Sequence, residues 1–321
     1  MSTYHVPVML NECIDGLSIK PGGTYIDATT GGGGHSVLIC ERLAGTGKLI
    51  CLDQDSDALA AAKLRLGSPD NVSFVQANFG DLTKVIAEHA PSGVDGILFD
   101  LGVSSFQLDT PGRGFAIRFK GPLDMRMDQT SDGETAADLV NRLPEAEIAD
   151  LLFTYGEESR GRRIAKAIVD ARPLKTTEDL VDAVRRAMPT GTRAGQVHPA
   201  TKVFQALRIA VNDELGVLPK AIGAAVNGLA VGGRIVVMSY HSLEDRVVKR
   251  ILTEAAGKSM ASDGWTVTDV PKFLDLITRK GVGPSDTEQR LNPRSRSAKL
   301  RIAERVSTGM LQGMGIKHVG L

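Results

Sequence analysis

A run of four glycines, Gly31 to Gly34, stands between a short β-rich segment and a segment with helical periodicity. Glycine lets the backbone adopt left-handed conformations and approach a ligand closely, and the N–H groups at a helix start favour an anion or a carbonyl oxygen. The run is not a P-loop, because no Lys-Ser or Lys-Thr pair follows it, and Ser36 stands where a G-x-G-x-x-G fingerprint needs its third glycine. The run therefore indicates a ligand-binding turn of another kind, with a tight packing turn as the alternative.

Acidic residues end the apolar segments around this turn. Asp27, Asp53 and Asp100 each close a segment with the composition of a buried strand, and Asp55 and Asp57 follow the second of them, where they would equally suit helix caps. Ligands of open parallel sheets bind beyond the carboxyl ends of the strands, so the carboxylates should share one rim. A carboxylate after the second strand suits ribose hydroxyls, whereas a crowd of acids repels a pyrophosphate. The rim therefore favours S-adenosylmethionine, with its ribose, its sulfonium, its ammonium group and its single carboxylate, as the cofactor.

The loop after the fourth apolar segment carries residues suited to a transfer onto an amine. In-line methyl transfer needs the reacting atoms held ~3–3.5 Å apart. Asp100 or a neighbouring backbone carbonyl would orient the acceptor by taking a hydrogen bond from its NH₂ group. His241, after a later strand, is a second candidate, for accepting a proton or binding the target. Phe79 would cover an adenine ring, although a core phenylalanine fits nearly as well. Ser104 lacks the G-x-S-x-G context of a hydrolase nucleophile, and His5 is a further residue that would reach the site.

Basic residues cluster in two later parts of the chain. Residues 156–208 hold 11 basic and 6 acidic side chains, a net charge of +5. Near the C-terminus stand Arg294, Arg296, Lys299 and Arg301, with serines between them. Arginine pairs well with phosphate oxygens, so we predict that these four residues bind RNA. The alternation of apolar and basic residues from 298 to 302 is also typical of an edge strand with one basic face.

Alternating strand and helix segments supply a scaffold for these residues. Their repeated order predicts an α/β fold with a doubly wound parallel sheet. The predicted strands are 24–27, 48–53, 72–76, 94–100 and 233–239, and the predicted helices between them are 35–43, 57–66 and 81–88.

The interval between the last two predicted strands is far longer than a βαβ unit of about 30 residues. Residues 202–215 have the periodicity of the crossover helix, and the part before them contains helix signals but no convincing strand. These signals include a helix at 159–171 and capping-box patterns that start at Ser131 and Thr176. The sequence therefore predicts a core of residues 1–105 and 201–321, with an inserted helical substrate-recognition domain at 106–200.

Composition excludes several protein classes. The chain has 321 residues with 38 basic and 38 acidic side chains, so net charge says nothing about partners. No apolar run reaches the ~18 residues of a membrane-spanning helix, and the N-terminus lacks the pattern of a secretory signal. The 3 cysteines lack metal-site spacing. We therefore expect a cytoplasmic protein without a membrane partner and without a metal.

Several longer motifs resemble one family. Two of them are DATTGGGGHS at Asp27–Ser36 and NPRSRSAKLR at Asn292–Arg301, and the others are His5–Glu12, Leu52–Asp55, Asp100–Asp109, Gly121–Met127 and Ser239–Asp245. Together they are similar to the bacterial MraW/RsmH family from residue 5 to about residue 301. Gly114–Arg118 departs from the family pattern, since it reads GFAIR where the family usually has GFSFR, which leaves a detail of the target-side loop in doubt.

The resemblance implies a class I S-adenosylmethionine-dependent methyltransferase with a Rossmann-like sheet and a helical insertion. It implies methylation of N4 of a cytidine in the decoding region of 16S ribosomal RNA. We expect the RNA to be bound within the small ribosomal subunit, although the sequence leaves free RNA open as the substrate. The resemblance also implies cofactor contacts at Gly33, Gly34, His35, Asp53, Phe79, Asp100 and Gln107. The sequence leaves open whether the protein forms a homodimer.

Two other classes compete with this interpretation. One is a nucleotide-dependent oxidoreductase with a helical substrate domain, and the other is a non-catalytic RNA-binding module. The acidic rim and the missing third glycine favour the methyltransferase. Titration with S-adenosylmethionine and with NAD separates all three, because the RNA-binding module would bind neither.

Overall fold

The computed structural model describes residues 7–188, 198–260, 267–269 and 271–311. Its strands are Thr24–Asp27 (β1), Lys48–Asp53 (β2), Val72–Gln76 (β3), Val94–Asp100 (β4), Leu229–Ser239 (β5), Lys258–Met260 (β6), Val267–Asp269 (β7), Leu274–Leu276 (β8) and Lys299–Arg305 (β9). Its α-helices are Leu10–Leu17 (α1), Gly34–Leu43 (α2), Ser56–Leu66 (α3), Leu82–His89 (α4), Ser105–Asp109 (α5), Ala136–Arg142 (α6), Glu145–Gly156 (α7), Gly161–Asp170 (α8), Thr177–Ala187 (α9), Ala200–Asn212 (α10), Glu214–Gly228 (α11), Ser242–Ala255 (α12) and Asp286–Leu291 (α13).

The chain folds into two compact units. Among the described residues, one unit comprises the chain up to Gly102 together with the chain from Leu215 onward, and the other runs from Val103 to Glu214. In the first unit a seven-stranded sheet has the order β3-β2-β1-β4-β5-β9-β8. Neighbours from β3 to β5 pair in parallel, while β9 is antiparallel to both β5 and β8. The predicted α/β fold with a doubly wound parallel sheet is confirmed, with an antiparallel pair added at one edge.

Both faces of this sheet are buried. Successive side chains of a strand point to opposite faces, so Ile50 and Leu52 join one apolar cluster while Leu49 and Cys51 join another. The first cluster includes residues of α4, α11 and α12, and the second includes residues of α1 and α2. Burial on both sides explains why these strands are near-continuous apolar runs in the sequence.

The topology brings the predicted acids to one edge. β1 lies between β2 and β4 and is parallel to both, with Asp27 opposite Cys51 on one side and Leu98 on the other. The carboxyl ends of these adjacent strands are Asp27, Asp53 and Asp100. A single rim for the three carboxylates follows directly from this strand order.

The second unit is helical over the described residues, and α6 to α10 contribute to one apolar cluster. α10 corresponds to the helix predicted at 202–215, but its assignment as the crossover helix was wrong. It packs against α7, α6 and α9 of this unit and ends at Asn212, because Asp213 adopts a left-handed conformation with φ 47°. The helix that leads into β5 is α11, so this boundary falls after Glu214 instead of after residue 200.

Two smaller predictions have different outcomes. The capping box at Thr176 is confirmed, since the Thr176 hydroxyl accepts from the Asp179 N–H and the Asp179 carboxylate accepts from the Thr176 N–H. The box at Ser131 was wrong, because α6 starts later and is capped by the pair that follows, Thr135 and Asp138. Among helices within the described ranges, none combines the length and apolarity that crossing a membrane requires.

Candidate active site

The glycine turn joins β1 to α2, as its composition predicts. Gly33 is the residue before the helix and has φ +77°, a conformation that favours glycine. A Cβ on Gly33 would lie 2.9 Å from Leu66 Cδ1 and 3.2 Å from Ala62 Cα, and one on Gly34 would overlap Pro7 Cγ. Packing against α3 and the N-terminal segment therefore already requires glycine at both positions. Their contact with a cofactor remains a prediction.

Asp53 ties the end of β2 to the glycine turn. One carboxylate oxygen accepts from the Gly31 N–H at 2.8 Å, and the other accepts from the Asp55 N–H at 2.9 Å. Burial raises the pKa of Asp53 to about 6, and these two N–H donors offset part of the rise. A carboxylate has about four acceptor positions, so Asp53 retains acceptor capacity for ligand hydroxyls. Asp55 instead caps α3 by accepting from the Asp57 N–H.

Asp27 lies beneath the rim rather than on it. Its side chain is buried, and it accepts from the Ser36 hydroxyl at 2.6 Å and from the Thr29 N–H at 3.3 Å. Burial raises the pKa of Asp27 to about 6. The sequence predicted that this carboxylate lies on the rim with the other two, but at 1% exposure it can act on a ligand only through its charge.

Asp100, at the end of β4, has the largest rise in pKa among the three carboxylates. The Tyr240 hydroxyl donates to its Oδ1 at 2.8 Å, and His35 Nδ1 lies 3.7 Å from its Oδ2. Burial raises the pKa of Asp100 to about 7, with Asp27 adding to the rise. Burial also lowers the pKa of His35 to about 4, so this ring is neutral at pH 7.

The rim lacks a positive charge to match its acids. Within the described residues, no lysine or arginine lies within ion-pair distance of Asp27, Asp53 or Asp100, and the buried Nε2 of His35 has no hydrogen-bond partner. Buried carboxylates are normally paired. These acceptor groups therefore fit a ligand that brings both a positive charge and hydroxyl groups.

Other predicted site residues lie in different surroundings. Phe79 follows β3 and meets Phe99 edge-on at 6.0 Å between ring centroids, so it belongs in part to the core. Gln107 lies in the second unit, where its side chain completes the capping box of α5 with Ser104. His241 caps α12, since its Nδ1 accepts from the Glu244 N–H at 3.3 Å. His5 lies outside the described residues.

The basic tail is divided between surface and interior. Arg301 is only 8% exposed and holds Asp245 with two hydrogen bonds of 2.7 and 3.1 Å. Lys299 is about half exposed and lies 3.4 Å from the same carboxylate. The prediction that Arg301 faces RNA is therefore corrected, because its guanidinium is buried against Asp245. The alternative of an edge strand was also wrong, since β9 lies between β5 and β8. Arg296 is exposed and Arg294 is partly exposed.

The sequence placed Tyr240 at the rim but did not identify two hydrogen bonds that orient the acids. The Tyr240 hydroxyl on Asp100 and the Ser36 hydroxyl on Asp27 are tertiary hydrogen bonds. Only the position of Tyr240 in the sequence pointed to its contact with Asp100. Tyr240 directly follows β5, which is the neighbour of β4, and Asp100 of β4 pairs with Met238 of β5.

The raised pKa values predict a pH dependence of stability. An acid whose folded pKa is raised holds its proton where the unfolded chain releases it, so its contribution falls as pH rises from about 4 to its folded pKa. Asp27, Asp53 and Asp100 all act in this direction up to pH 6–7, whereas His35 opposes them between pH 4 and 6.5. We expect the ligand-free protein to lose about 1–3 kcal/mol of unfolding free energy between pH 5 and pH 7.

Denaturant unfolding at a series of pH values measures this loss, and Asp100→Asn serves as the comparison because it should flatten the upper part of the curve. The carboxylates with lowered pKa values, such as Asp124 and Asp245, change the stability only below about pH 4. A wild-type stability that rises from pH 5 to pH 7 would contradict the assignment of desolvated acids.

Comparisons with known proteins show which family the chain belongs to. A protein that is 49% identical over 314 residues, covering 95% of this chain and all of its own, is "Ribosomal RNA small subunit methyltransferase H" of Heliobacterium mobile. A protein of Nostoc punctiforme with the same name is 47% identical over 303 residues, covering 94% of each chain. Among solved structures, a putative rRNA methylase from Clostridium thermocellum matches 95% of this chain and 99% of its own with a TM-score of 0.45 and 12% identity. The family model described as the MraW methylase family matches residues 2–306. The chain belongs to the MraW methylase family.

Proposed function

We propose that this protein transfers a methyl group from S-adenosylmethionine to the exocyclic N4 amine of a cytidine in 16S ribosomal RNA. The observation that carries the proposal is the group of carboxylates at the ends of β1, β2 and β4, of which Asp27 is buried and Asp53 and Asp100 are partly buried. None of the three has a lysine or arginine partner among the described residues. The names of the relatives support ribosomal RNA of the small subunit as the substrate. The oxidoreductase alternative has no support from the family match.

Different residues would bind different parts of the cofactor. S-adenosylmethionine, when bound, supplies a methyl carbon activated by a sulfonium. Asp53 would accept from the ribose hydroxyls, and the turn at Gly33 and Gly34 would place its N–H groups toward the carboxylate. Asp27 contributes negative charge from below the rim, which favours the cationic part of the ligand and would disfavour a pyrophosphate. Phe79 and His35 would complete the cofactor pocket.

Asp100 would act on the acceptor side. The N4 amine of cytosine is flat because its lone pair is shared with the ring, so an acceptor for one N–H both orients the group and returns electron density to nitrogen. Asp100 Oδ2 is the oxygen of that carboxylate not bonded to Tyr240. Asp100 therefore supplies the orientation that in-line transfer requires. His241 remains a candidate for contact with the target, with its Nδ1 already used in helix capping.

The test is a methylation assay with isotope-labelled S-adenosylmethionine and two substrates, free 16S RNA and assembled small subunits, both from cells lacking the modification. We propose that the assembled subunit, in the cytoplasm, is the preferred substrate. Digestion and mass analysis should identify N4-methylcytidine. Label in another nucleoside, or binding of NAD in place of S-adenosylmethionine, would overturn the proposal.

We further propose that Arg294 and Arg296 bind RNA phosphates. Replacing both by alanine should weaken RNA binding and reduce the slope of log affinity against log salt by about 0.7 for each phosphate that is no longer neutralised. Filter binding at several salt concentrations measures the slope. The double variant of Arg42 and Lys63, which are exposed elsewhere in the first unit, is the charge-matched control. Equal slopes for the two variants would assign the tail a purely structural role.

A further inference from the structure

Tyr240 connects the carboxyl ends of two neighbouring strands. It directly follows β5, where Met238 pairs with Asp100 of β4. Its hydroxyl donates to Asp100 Oδ1 at 2.8 Å, and its backbone N–H donates to Glu244 Oε2 at 2.8 Å. The tyrosine is thus held at both its backbone and its ring, so the position of its hydroxyl is well defined.

The two oxygens of Asp100 are therefore not equivalent. Oδ1 receives the phenol hydrogen, whereas Oδ2 accepts no hydrogen bond from the residues that the structure describes. The neutral His35 ring lies beside Oδ2 with Nδ1 at 3.7 Å, beyond hydrogen-bond distance. The Asp100 side chain is 24% exposed, so a ligand can reach part of it from outside. The Asp100 N–H also donates to Thr29 Oγ1 at 2.6 Å, which fixes the backbone from which the carboxylate projects.

We propose that Tyr240 is a positioning residue for methyl transfer, which holds Oδ1 of Asp100 so that Oδ2 is presented to an N–H of the acceptor amine. This inference rests on the proposed function. In the transfer, the amine nitrogen uses its lone pair to form the new N–C bond while the C–S bonding pair returns to sulfur, leaving a neutral thioether. The nitrogen then carries a positive charge and gives one proton to Asp100 Oδ2, which later releases it to water.

The surroundings of Asp100 explain why the phenol matters. The ionisable groups that face Asp100 are Asp27 from β1, His35 from α2, Cys13 from α1, and Glu244 from α12. Burial and the acids raise the pKa of Asp100 to about 7, and the Tyr240 hydroxyl opposes that rise. Without this donor, a larger fraction of Asp100 would be protonated at neutral pH and would lose its capacity to accept from the amine.

The experiment measures kcat against pH, at saturating cofactor and RNA, for wild type, Tyr240→Phe, Asp100→Asn and the double variant. Tyr240→Phe should lower kcat about tenfold at pH 7, the size expected for loss of a hydrogen bond to a charged group. The acidic limb of its kcat–pH profile should move to higher pH, so its activity should recover as the pH rises. In the Asp100→Asn background the same change should have little further effect, because the two residues act as one unit.

Two comparisons separate this role from a purely structural one. Tyr25→Phe also removes a buried phenol of the same sheet, one that accepts from the Lys20 N–H, and should leave the pH profile unchanged. Difluorotyrosine at position 240 keeps the ring and strengthens the donor, so it should move the acidic limb to lower pH. This variant keeps the test decisive if Tyr240→Phe folds poorly.

The outcomes distinguish the inference from the function on which it rests. A wild-type enzyme that methylates ribosomal RNA, with Tyr240→Phe showing the wild-type pH profile, would overturn the positioning role alone. Full additivity of Tyr240→Phe and Asp100→Asn would do the same. A wild-type protein that transfers no methyl group to either RNA substrate would overturn the proposed function first.

Discussion

Asp100→Asn is expected to lower kcat for RNA methylation by about 10²-fold or more, the range seen when a positioned proton acceptor is removed. Asparagine has nearly the same shape, but its amide oxygen is a weak acceptor that cannot take the proton released by the methylated amine. Removal of the buried carboxylate also removes its desolvation cost, so the variant should fold at least as stably as wild type at pH 7. Single-turnover rates with prebound cofactor would measure the effect on the transfer itself.

The matched control for this variant is Asp95→Asn. Asp95 stands at the other end of the same strand, where its carboxylate accepts from the Thr24 N–H at 2.8 Å. It has the same chemistry and the same change but lies far from the rim, so its single-turnover rate should equal that of wild type. If Asp100→Asn retained the wild-type rate, the amine would have to be oriented by another group, and Asp100 would contribute only to the acidity of the rim.

The acids of the rim could be predicted from the sequence because each follows directly from a local pattern. An apolar run that ends in an acid, repeated in parallel strands, places every such acid at one edge of the sheet. β1, β2, β3 and β4 have the predicted bounds, and burial on both faces gives β2 and β4 a continuous apolar signal in the sequence. The glycine turn was equally visible, because a strand, a left-handed turn and a helix follow one another within a few residues.

The remaining features depend on tertiary interactions that no local pattern encodes. α10 and α11 follow one another with only Asp213 between them, and both are apolar on one side, so the sequence alone did not show that they belong to different units. The alternation in the tail is typical of an edge strand, but β8 pairs with the outer side of β9. Because β8 is only a few residues long, it leaves no clear strand signal in the sequence. Arg301 looked like a surface cation because its partner, Asp245, lies 56 residues earlier in the chain.

Asp53→Ala is expected to weaken S-adenosylmethionine binding by about 1–3 kcal/mol, or roughly 5- to 150-fold, through loss of charge-assisted hydrogen bonds to the ribose. Part of the loss should come from the protein itself, since the N–H groups of Gly31 and Asp55 would lose their acceptor. Isothermal titration with S-adenosylmethionine measures the affinity. Asp95→Ala, which also removes an acceptor from a backbone N–H of this sheet, should leave it unchanged.

Comparison of Asp53→Ala with Asp53→Asn separates the two causes. Asparagine keeps one oxygen for the turn but lacks the negative charge, so its affinity should fall between those of wild type and the alanine variant. Because the pKa of Asp53 in the ligand-free protein is about 6, affinity for the cofactor should also decline as the pH drops below 6 in wild type, and less steeply in Asp53→Asn. Wild-type affinity in Asp53→Ala would mean that the ribose lies elsewhere on the rim, and that Asp53 serves only to hold the glycine turn against β2.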